Sequence, residues 1–557
     1  MPQFDDTNTT TRITELRHRE EEAIVNTLAI KHGYEYINLN DTVIDIEVLR
    51  LLTESESKKG ELALFAQGNG TVSVALRNPN NPELQSLLGK LIALGHKPIL
   101  FMASRNSIEH AWARYRDMKT TVAETRGVLG VRADAIKELA RDIKSYLDVA
   151  EKVRTIGKEH GSERITKIIE ILFGGALALG ASDMHIEPEA TAVRVRYRLD
   201  GVLWDAADLD TSLSHLLISR LKLLSGLKLN VHKEAQDGRF TFDVGDREVE
   251  VRTSVIPGSY GESLVMRLLD PSVTNFKFET LGLNTKLNAI VIEELARPNG
   301  AIITTGPTGS GKTTALYAFL QAVHTPQVKI ITLEDPVEYK LPGIVQTQVG
   351  EDYSFGDGLR SILRQDPDVI MVGEIRDRDV AETAVHAALT GHLVFSTLHT
   401  NSAVGAFPRL MDLGIDSRMI GNAFNLVLGQ RLVRKLCEAC RTPRDTTTEE
   451  QVLIARIMQQ PVALHTIYDA PGCDQCGFSK YKGRIGVFEA IQVDGAVEEA
   501  IINDPRESSI LEAAKHQGIP TMQQDGILKV LAGITTLDEL ARVLDLYHID
   551  TPPPNTP

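Results

Sequence analysis

The chain is poor in cysteine, in aromatic residues and in net positive charge, and each shortage excludes something. Only four of its 557 residues are cysteine, too few for a disulfide scaffold. Aromatic residues make up 5%, and no basic run is interleaved with them as it would be on a nucleic-acid surface. Lysine and arginine number 60 against 75 aspartate and glutamate, a formal charge of −15 at pH 7. That balance argues against broad binding to nucleic acid or to an anionic bilayer, while leaving room for a local basic patch. Long hydrophobic runs are missing too. The longest nearly uncharged one, Ile168 to Ala181, carries Glu170 and three glycines and falls short of the ~20 residues of a membrane span. The first residues lack the basic and apolar regions of a secretory leader. These absences predict a cytoplasmic protein whose membrane association comes through a partner.

What is present is an ordinary globular composition, 42% hydrophobic and 24% charged. At roughly 100–200 residues per domain the length predicts three to five domains. Residues 1–21 are polar and read as a disordered N-terminus. Residues 22–115 alternate short helices and strands, among them Ala23–Lys31 and Glu83–Leu94 as helices, and read as a small α/β domain. Residues 116–160 are charged and helix-prone without a broad apolar face, which reads as a connector. A second module, 161–273, opens on an apolar helix over Ile165–Leu179 and continues into Val193–Leu199, an alternating strand. Phe240–Val244 and Val249–Arg252 read as a hairpin about Gly245-Asp246. From 274 to 550 strand, glycine turn and helix recur, the signature of a parallel sheet with crossover helices. Residues 551–557, rich in proline, read as a disordered tail. No internal repeat is visible.

The sharpest chemical signal is Gly306-Pro307-Thr308-Gly309-Ser310-Gly311-Lys312-Thr313-Thr314 between an apolar strand, Ala301–Thr305, and a helix, Ala315–Val323. This is the G-x-x-x-x-G-K-[ST] phosphate loop in the context it requires. Its glycines let the backbone wrap a nucleoside triphosphate, and amide groups at the helix start form an anion cradle. Lys312 would meet the β- and γ-phosphates, and the Thr313 hydroxyl would ligate Mg²⁺. Three other segments accompany it. Val369–Val372 is an apolar strand leading to Glu374, a Walker B element with Gly373 where an aspartate usually stands. A strand over Val328–Leu333 leads into Glu334, Asp335 and Glu338, three carboxylates at a strand's C-terminal end, where α/β sheets build ligand sites. His392 and His399 bracket a six-residue strand core and are candidates for sensing the γ-phosphate.

All four cysteines fall in two C-x-x-C pairs, Cys437/Cys440 and Cys473/Cys476, thirty-two residues apart. The bite suits tetrahedral thiolate ligation, so a structural Zn²⁺ clipping a subdomain, 436–490, is favoured over a redox or unmetallated role or iron. Four thiolates leave no open position for catalysis.

Taken together, these segments resemble the secretion ATPases that power type II secretion and type IV pilus assembly. The order phosphate loop, Ile331–Glu338, Asp366–Glu374, Leu389–Thr400 is that family's. The resemblance spans roughly 22 to 550 and includes Ala181–Pro188, Arg196–Gly201, Gln236-Asp237-Gly238-Arg239 and Gly483–Glu489. It implies an α/β architecture: a RecA-like P-loop motor preceded by a PAS-like α/β domain and a small N-terminal α/β docking domain, with a tetracysteine zinc subdomain. It implies ATP as substrate with Mg²⁺, Glu338 as the base that polarises water, and Glu374 as the Walker B carboxylate. Which of the two is the principal base stays open. By the same resemblance Arg360 and Arg364 are phosphate-sensing, and Arg198 and Arg239, with Arg196 less so, approach the nucleotide when the PAS-like module closes. A homohexameric ring beneath an inner-membrane platform protein is also implied, as is assembly rather than retraction, since assembly-type members commonly carry the cysteines. Some relatives bind cyclic di-GMP through an Arg-Leu-Gly-led motif; Thr11–Leu16 lacks it, so no such binding is expected, and micromolar binding by titration calorimetry would overturn this. Two rivals remain: a DNA-translocating or conjugation ATPase, which the charge of −15 opposes, and a nucleotide-gated regulatory or scaffolding subunit without useful turnover. The choice among type II secretion, pilus and competence machines is not written in the motor.

Overall fold

In the computed structural model the described residues are 21–547, apart from 41, 43, 50, 69–70, 94–95, 119–132, 159–162, 245–246, 274–276 and 351. The expected disordered termini fall almost wholly outside them, as do the stretch Thr11–Leu16 and the Gly245-Asp246 turn. The chain divides into two units, Met1–Arg126 and Gly127–Pro557.

The first unit is built on a four-stranded sheet of β1 (Glu35–Tyr36), β2 (Leu62–Gly68), β3 (Thr71–Leu76) and β4 (Lys97–Met102), in the order β1-β4-β3-β2. β3 pairs β4 in parallel and β2 antiparallel. The helix Leu84–Ala93 connects the two parallel strands, as such a crossover must. Val72, Val74 and Leu76 turn one face of β3 onto Leu84, Leu87, Leu88 and Leu91 of that helix, a period-2 stripe against a helical one.

The second unit holds two sheets. The smaller one contains β5 (Asp183–Pro188), β6 (Val193–Leu199), β7 (Val202–Leu209), β8 (Gln236–Val244), β9 (Arg247–Gly258) and β10 (Gly261–Leu269), in the order β7-β6-β5-β10-β9-β8. Every neighbouring pair is antiparallel. Alternation sends Val193, Val195 and Tyr197, Met184 and Ile186, and Leu264 and Met266 into one core and the intervening charged residues to the other face. That core is closed by the helix Arg164–Ala178 and by two helices, Ala133–Asp142 and Tyr146–Gly157. The reading of 116–160 as a connector is therefore corrected for its latter half. Ile136, Ile143, Val149 and Val153 are buried in this core, a narrow apolar stripe that the surrounding charge hides in the sequence.

The larger sheet carries the motor. It consists of β11 (Gly300–Thr305), β12 (Ile330–Glu334), β13 (Val345–Gln348), β14 (Val369–Val372), β15 (Leu393–Leu398), β16 (Phe424–Leu436) and β19 (Tyr481–Gln492), in the order β13-β12-β14-β15-β11-β16-β19. Only the β16–β19 pair is antiparallel; the others are parallel, so their C-terminal ends share one edge. β11 is buried along its whole length, as a central parallel strand is. The remaining strands, β17 (Thr442–Asp445) and β18 (Thr466–Asp469), form a ribbon between the two cysteine pairs.

Candidate functional site

The phosphate loop leaves the C-terminal end of β11 and enters the helix Lys312–Val323. Most helices of this domain begin with a capping side chain, for example Ser354, Asp377 and Thr521. This one begins at Gly311, in the left-handed region at φ 88° and without a side-chain cap. Its first amide groups thus stay available to an anion, reinforced by the helix dipole. Gly306 takes φ 146°, and a Cβ there would lie 2.6 Å from both the Gln430 carbonyl oxygen and Ser310 Oγ. The Ser310 hydroxyl is buried without a hydrogen-bond partner. An uncapped helix start, a glycine-only backbone and an orphaned hydroxyl together fit a bound polyphosphate.

Lys312 is buried and its ammonium donates to the carbonyl oxygens of Gly306 at 2.8 Å and Pro307 at 3.1 Å. Burial lowers its affinity for a proton, while the neighbouring Glu374 carboxylate opposes that shift. Thr313 and Thr314 are exposed in the first turn, where the Thr313 hydroxyl can reach a metal ion on the phosphates. Glu374, just beyond β14, is mostly buried, paired with Arg376 and 3.4 Å from His399 Nε2. His399 follows β15, and its loop is tied down by Thr305 Oγ1 to the Ser402 carbonyl at 3.2 Å and by the Ala403 amide to Glu489 at 2.8 Å. Lys312, Glu374 and His399 are thus gathered on one sheet edge.

Glu338 lies in the loop between β12 and β13, on that same edge. Its carboxylate faces the smaller sheet: Arg252 Nη1 is 3.4 Å from one oxygen, and Arg267 Nη1 is 3.8 Å from the other. Arg252 also donates to the Val337 carbonyl at 2.8 Å. These two arginines were not singled out in the sequence. They belong to a single rung of the sheet, Arg198–Asp183–Arg267–Arg252–Arg239 across β6, β5, β10, β9 and β8. Their signal was the polar half of two alternating strands, Val-Glu-Val-Arg and Val-Met-Arg-Leu, but the rung that joins them exists only in the register.

The expected arginines have other partners. Arg198 is 3.2 Å from Asp183, Arg196 is 2.6 Å from Glu187, and Arg239 is exposed at the far edge of the rung. None of the three meets Glu338. Arg360 is held by Asp357 and Asp379, and Arg364 donates to Ser361. The helix Phe355–Ile362 and the turn after it run from the edge bearing the site toward Val369, where β14 begins. Within this chain both arginines spend their bonds on Asp357, Asp379 and Ser361 rather than on the phosphate loop. His392 is also corrected. It precedes β15, and its backbone carbonyl accepts from Gly300 at the start of β11. Seven residues at about 3.3 Å each put it more than about 20 Å from His399. There it lines a cleft of about 1070 Å³ with Asp366, Asp368, Lys277 and Arg297, at the opposite edge from the phosphate loop.

The cysteines come together. Cys437 follows β16 and Cys476 precedes β19, so the two pairs clasp the base of the segment that connects these strands. Three of the Sγ–Sγ separations are 3.9 Å, and all four atoms lie within 4.8 Å of one another. Sulfurs tetrahedral about a zinc ion, at about 2.3 Å each, would be about 3.8 Å apart. The donor set and its spacing fit a structural zinc.

Comparison with known proteins gives the family of the chain. A family model described as "Type II/IV secretion system protein" matches residues 158–542, and an MshEN domain model matches 32–122. The chain is 41% identical over 419 residues to "Type II secretion system protein E" of Pseudomonas aeruginosa, covering 74% of this chain and 83% of that protein. To the "Type IV pilus assembly ATPase PilB" of Myxococcus xanthus it is 34% identical over 528 residues, covering 94% and 91%. The solved structure of the ATPase DotB of Yersinia pseudotuberculosis covers 69% of this chain and 93% of its own, at 20% identity with a TM-score of 0.50, a likeness of fold.

Proposed function

The chain belongs to the type II/IV secretion system protein family, and we propose that it is the Mg²⁺-dependent motor of an assembly machine, turning ATP hydrolysis into polymerisation of pilin or pseudopilin subunits. It is an ATPase. The observation that carries the reading is the meeting of Lys312, Glu374 and His399 at an uncapped helix start, with Glu338 on the same edge facing two arginines.

In this reading the amides at the start of Lys312–Val323 hold the phosphates, and Lys312 exchanges the Gly306 and Pro307 carbonyls for phosphate oxygens. Thr313 would help hold Mg²⁺, which would supply charge neutralisation on the phosphates. Glu338 orients the attacking water and takes its proton. Glu374, oriented by Arg376 and His399, organises the water on the metal side. Arg252 and Arg267 lie on the smaller sheet, so charge compensation depends on where that sheet sits. That dependence converts a chemical step into movement. Phosphoryl transfer needs such positioning more than covalent chemistry.

We further propose that residues 22–115 dock on an inner-membrane platform protein, that the tetracysteine cluster holds Zn²⁺, and that the working form is a hexameric ring. Among the described residues no helix is long and apolar enough to cross a membrane, which supports attachment through a partner. Phosphate release by the purified protein, with and without the cytoplasmic part of its platform protein, tests the reading. Stimulation by the platform supports it; stimulation by DNA alone would transfer the chain to the translocase class, and absent turnover in both would make it a nucleotide-gated scaffold.

A further inference from the structure

Tyr317, Glu334 and Gln346 form a buried hydrogen-bonded chain that phosphate binding does not use. Glu334 ends β12 and is 3% exposed. Three neutral donors meet its carboxylate: the Tyr317 phenol, the Thr332 hydroxyl at 2.5 Å and the Gln346 amide at 3.1 Å. The other residues of β12 around it are Ile330, Ile331, Thr332 and Leu333, so the interior here could have been closed by an apolar side chain. What the carboxylate gathers is informative. Gln346 spends its remaining groups on the loop between β12 and β13, accepting from the Leu341 amide at 2.7 Å and donating to the Tyr339 carbonyl at 2.9 Å. The Tyr317 phenol is kept protonated by burial and then by the Glu334 charge, while hydrogen bonds from the backbone of Tyr339 and Glu338 pull the other way. Tyr317 lies fully buried on the helix that opens with Lys312 and Thr313. The chain therefore begins on the phosphate helix and ends on the loop that carries Glu338.

We propose that Tyr317, Glu334 and Gln346 are positioning residues that aim Glu338 by locking its loop to the phosphate-binding helix. The inference rests on the reading of Glu338 as the base. Both ends of the chain are needed: Gln346 fixes the loop one and three residues beyond the carboxylate, and Tyr317 fixes it at the carboxylate's own backbone. A shift of the helix on filling of the phosphate loop is then transmitted to the carboxylate without passing through the nucleotide.

The test is Tyr317→Phe, which removes one oxygen from a buried ring, and Gln346→Leu, made in the full-length protein. A displaced base costs turnover rather than binding, so kcat should fall about tenfold or more while the KM for ATP stays within about twofold. In a Glu338→Asp background, where the base is already withdrawn, Tyr317→Phe should lower kcat by less than about twofold. Thr332→Val removes a donor to Glu334 that does not touch the loop, and should keep kcat within about twofold of the parent. An equal fall in kcat in the Glu338→Asp background, an equal fall in Thr332→Val, or a rise in KM at unchanged kcat would each overturn the proposal. Loss of turnover in Glu338→Gln together with normal kcat in Tyr317→Phe overturns the positioning role alone. Near-normal turnover in Glu338→Gln overturns the base assignment and the positioning role with it.

Discussion

Glu338 and Lys312 are each occupied by groups of the protein itself, the carboxylate by Arg252 and Arg267 and the ammonium by two carbonyls of its own loop. Phosphate would draw the ammonium and the two guanidinium groups away from these partners, so single substitutions separate their roles. Arg252, nearer to Glu338 and also bonded to the Val337 carbonyl, should matter more than Arg198, which is held by Asp183. Arg252→Ala is expected to lower kcat by about a hundredfold to a thousandfold, the usual size for one charge-stabilising donor, with Arg198→Ala losing clearly less. Steady-state kinetics of the two variants decides this, and the reverse order would return the role to the residue favoured by family resemblance. The phosphate loop was legible because its chemistry is contiguous: nine residues carry the pattern and the strand and helix beside them carry the context. His399 was legible with it, but His392 shares the motif and sits at the other end of the strand. A period-2 segment places side chains on faces and does not say which strand end meets the ligand.

At the scale of elements, two devices hold the β16–β19 hairpin, whose middle flanks the phosphate loop at Gln430. At its connected end stand the four cysteines. One zinc per chain is expected by atomic emission, and Cys473→Ser or chelation should lower the melting temperature of the motor. A loss of about 2 kcal/mol would appear as a drop of about 4–8 °C in a domain of this size. Unchanged stability in a zinc-free preparation would contradict the structural role. Against its outer side lies the helix Leu537–Val543, anchored by Glu539, which is 1% exposed and bonds Arg434 at 2.6 Å and Arg542 at 2.6 Å. Burial opposes ionisation of this carboxyl, but hydrogen bonds from Arg542 and Arg434 hold it below the usual carboxylate range. Its contribution is therefore present at neutral pH and lost as the pH falls below that range through the carboxyl's own lowered pKa. Glu539→Ala leaves Arg434 without its buried partner and should cost about 3–5 kcal/mol by urea denaturation at pH 7. Element type was readable from periodicity: β6, the helix Arg164–Ala178 and the hairpin β8–β9 lie where alternation and apolar spacing put them. The helices Ala133–Asp142 and Tyr146–Gly157 were not, because four buried apolar side chains in a charged segment look like chance until a sheet covers them.

At the scale of the whole molecule, the arginine rung is the feature that neither composition nor motif announces. A chain with a net charge of −15 concentrates four arginines and one aspartate in a row across one sheet, and two of the four face Glu338. The same charge that opposes DNA binding leaves this row as a local basic exception. If neighbouring copies complete the site, specific activity should rise with protein concentration over the range in which light scattering reports assembly; constant specific activity across that range would contradict a shared site. The central claim is that this edge of the large sheet hydrolyses ATP with Glu338 as the group that readies water. Measurement of ATP affinity and single-turnover phosphate release on Glu338→Gln tests it most directly. Nucleotide affinity should stay within about threefold of the parent while phosphate release slows by at least about a hundredfold; release at the parent rate with the same affinity would contradict this role of Glu338.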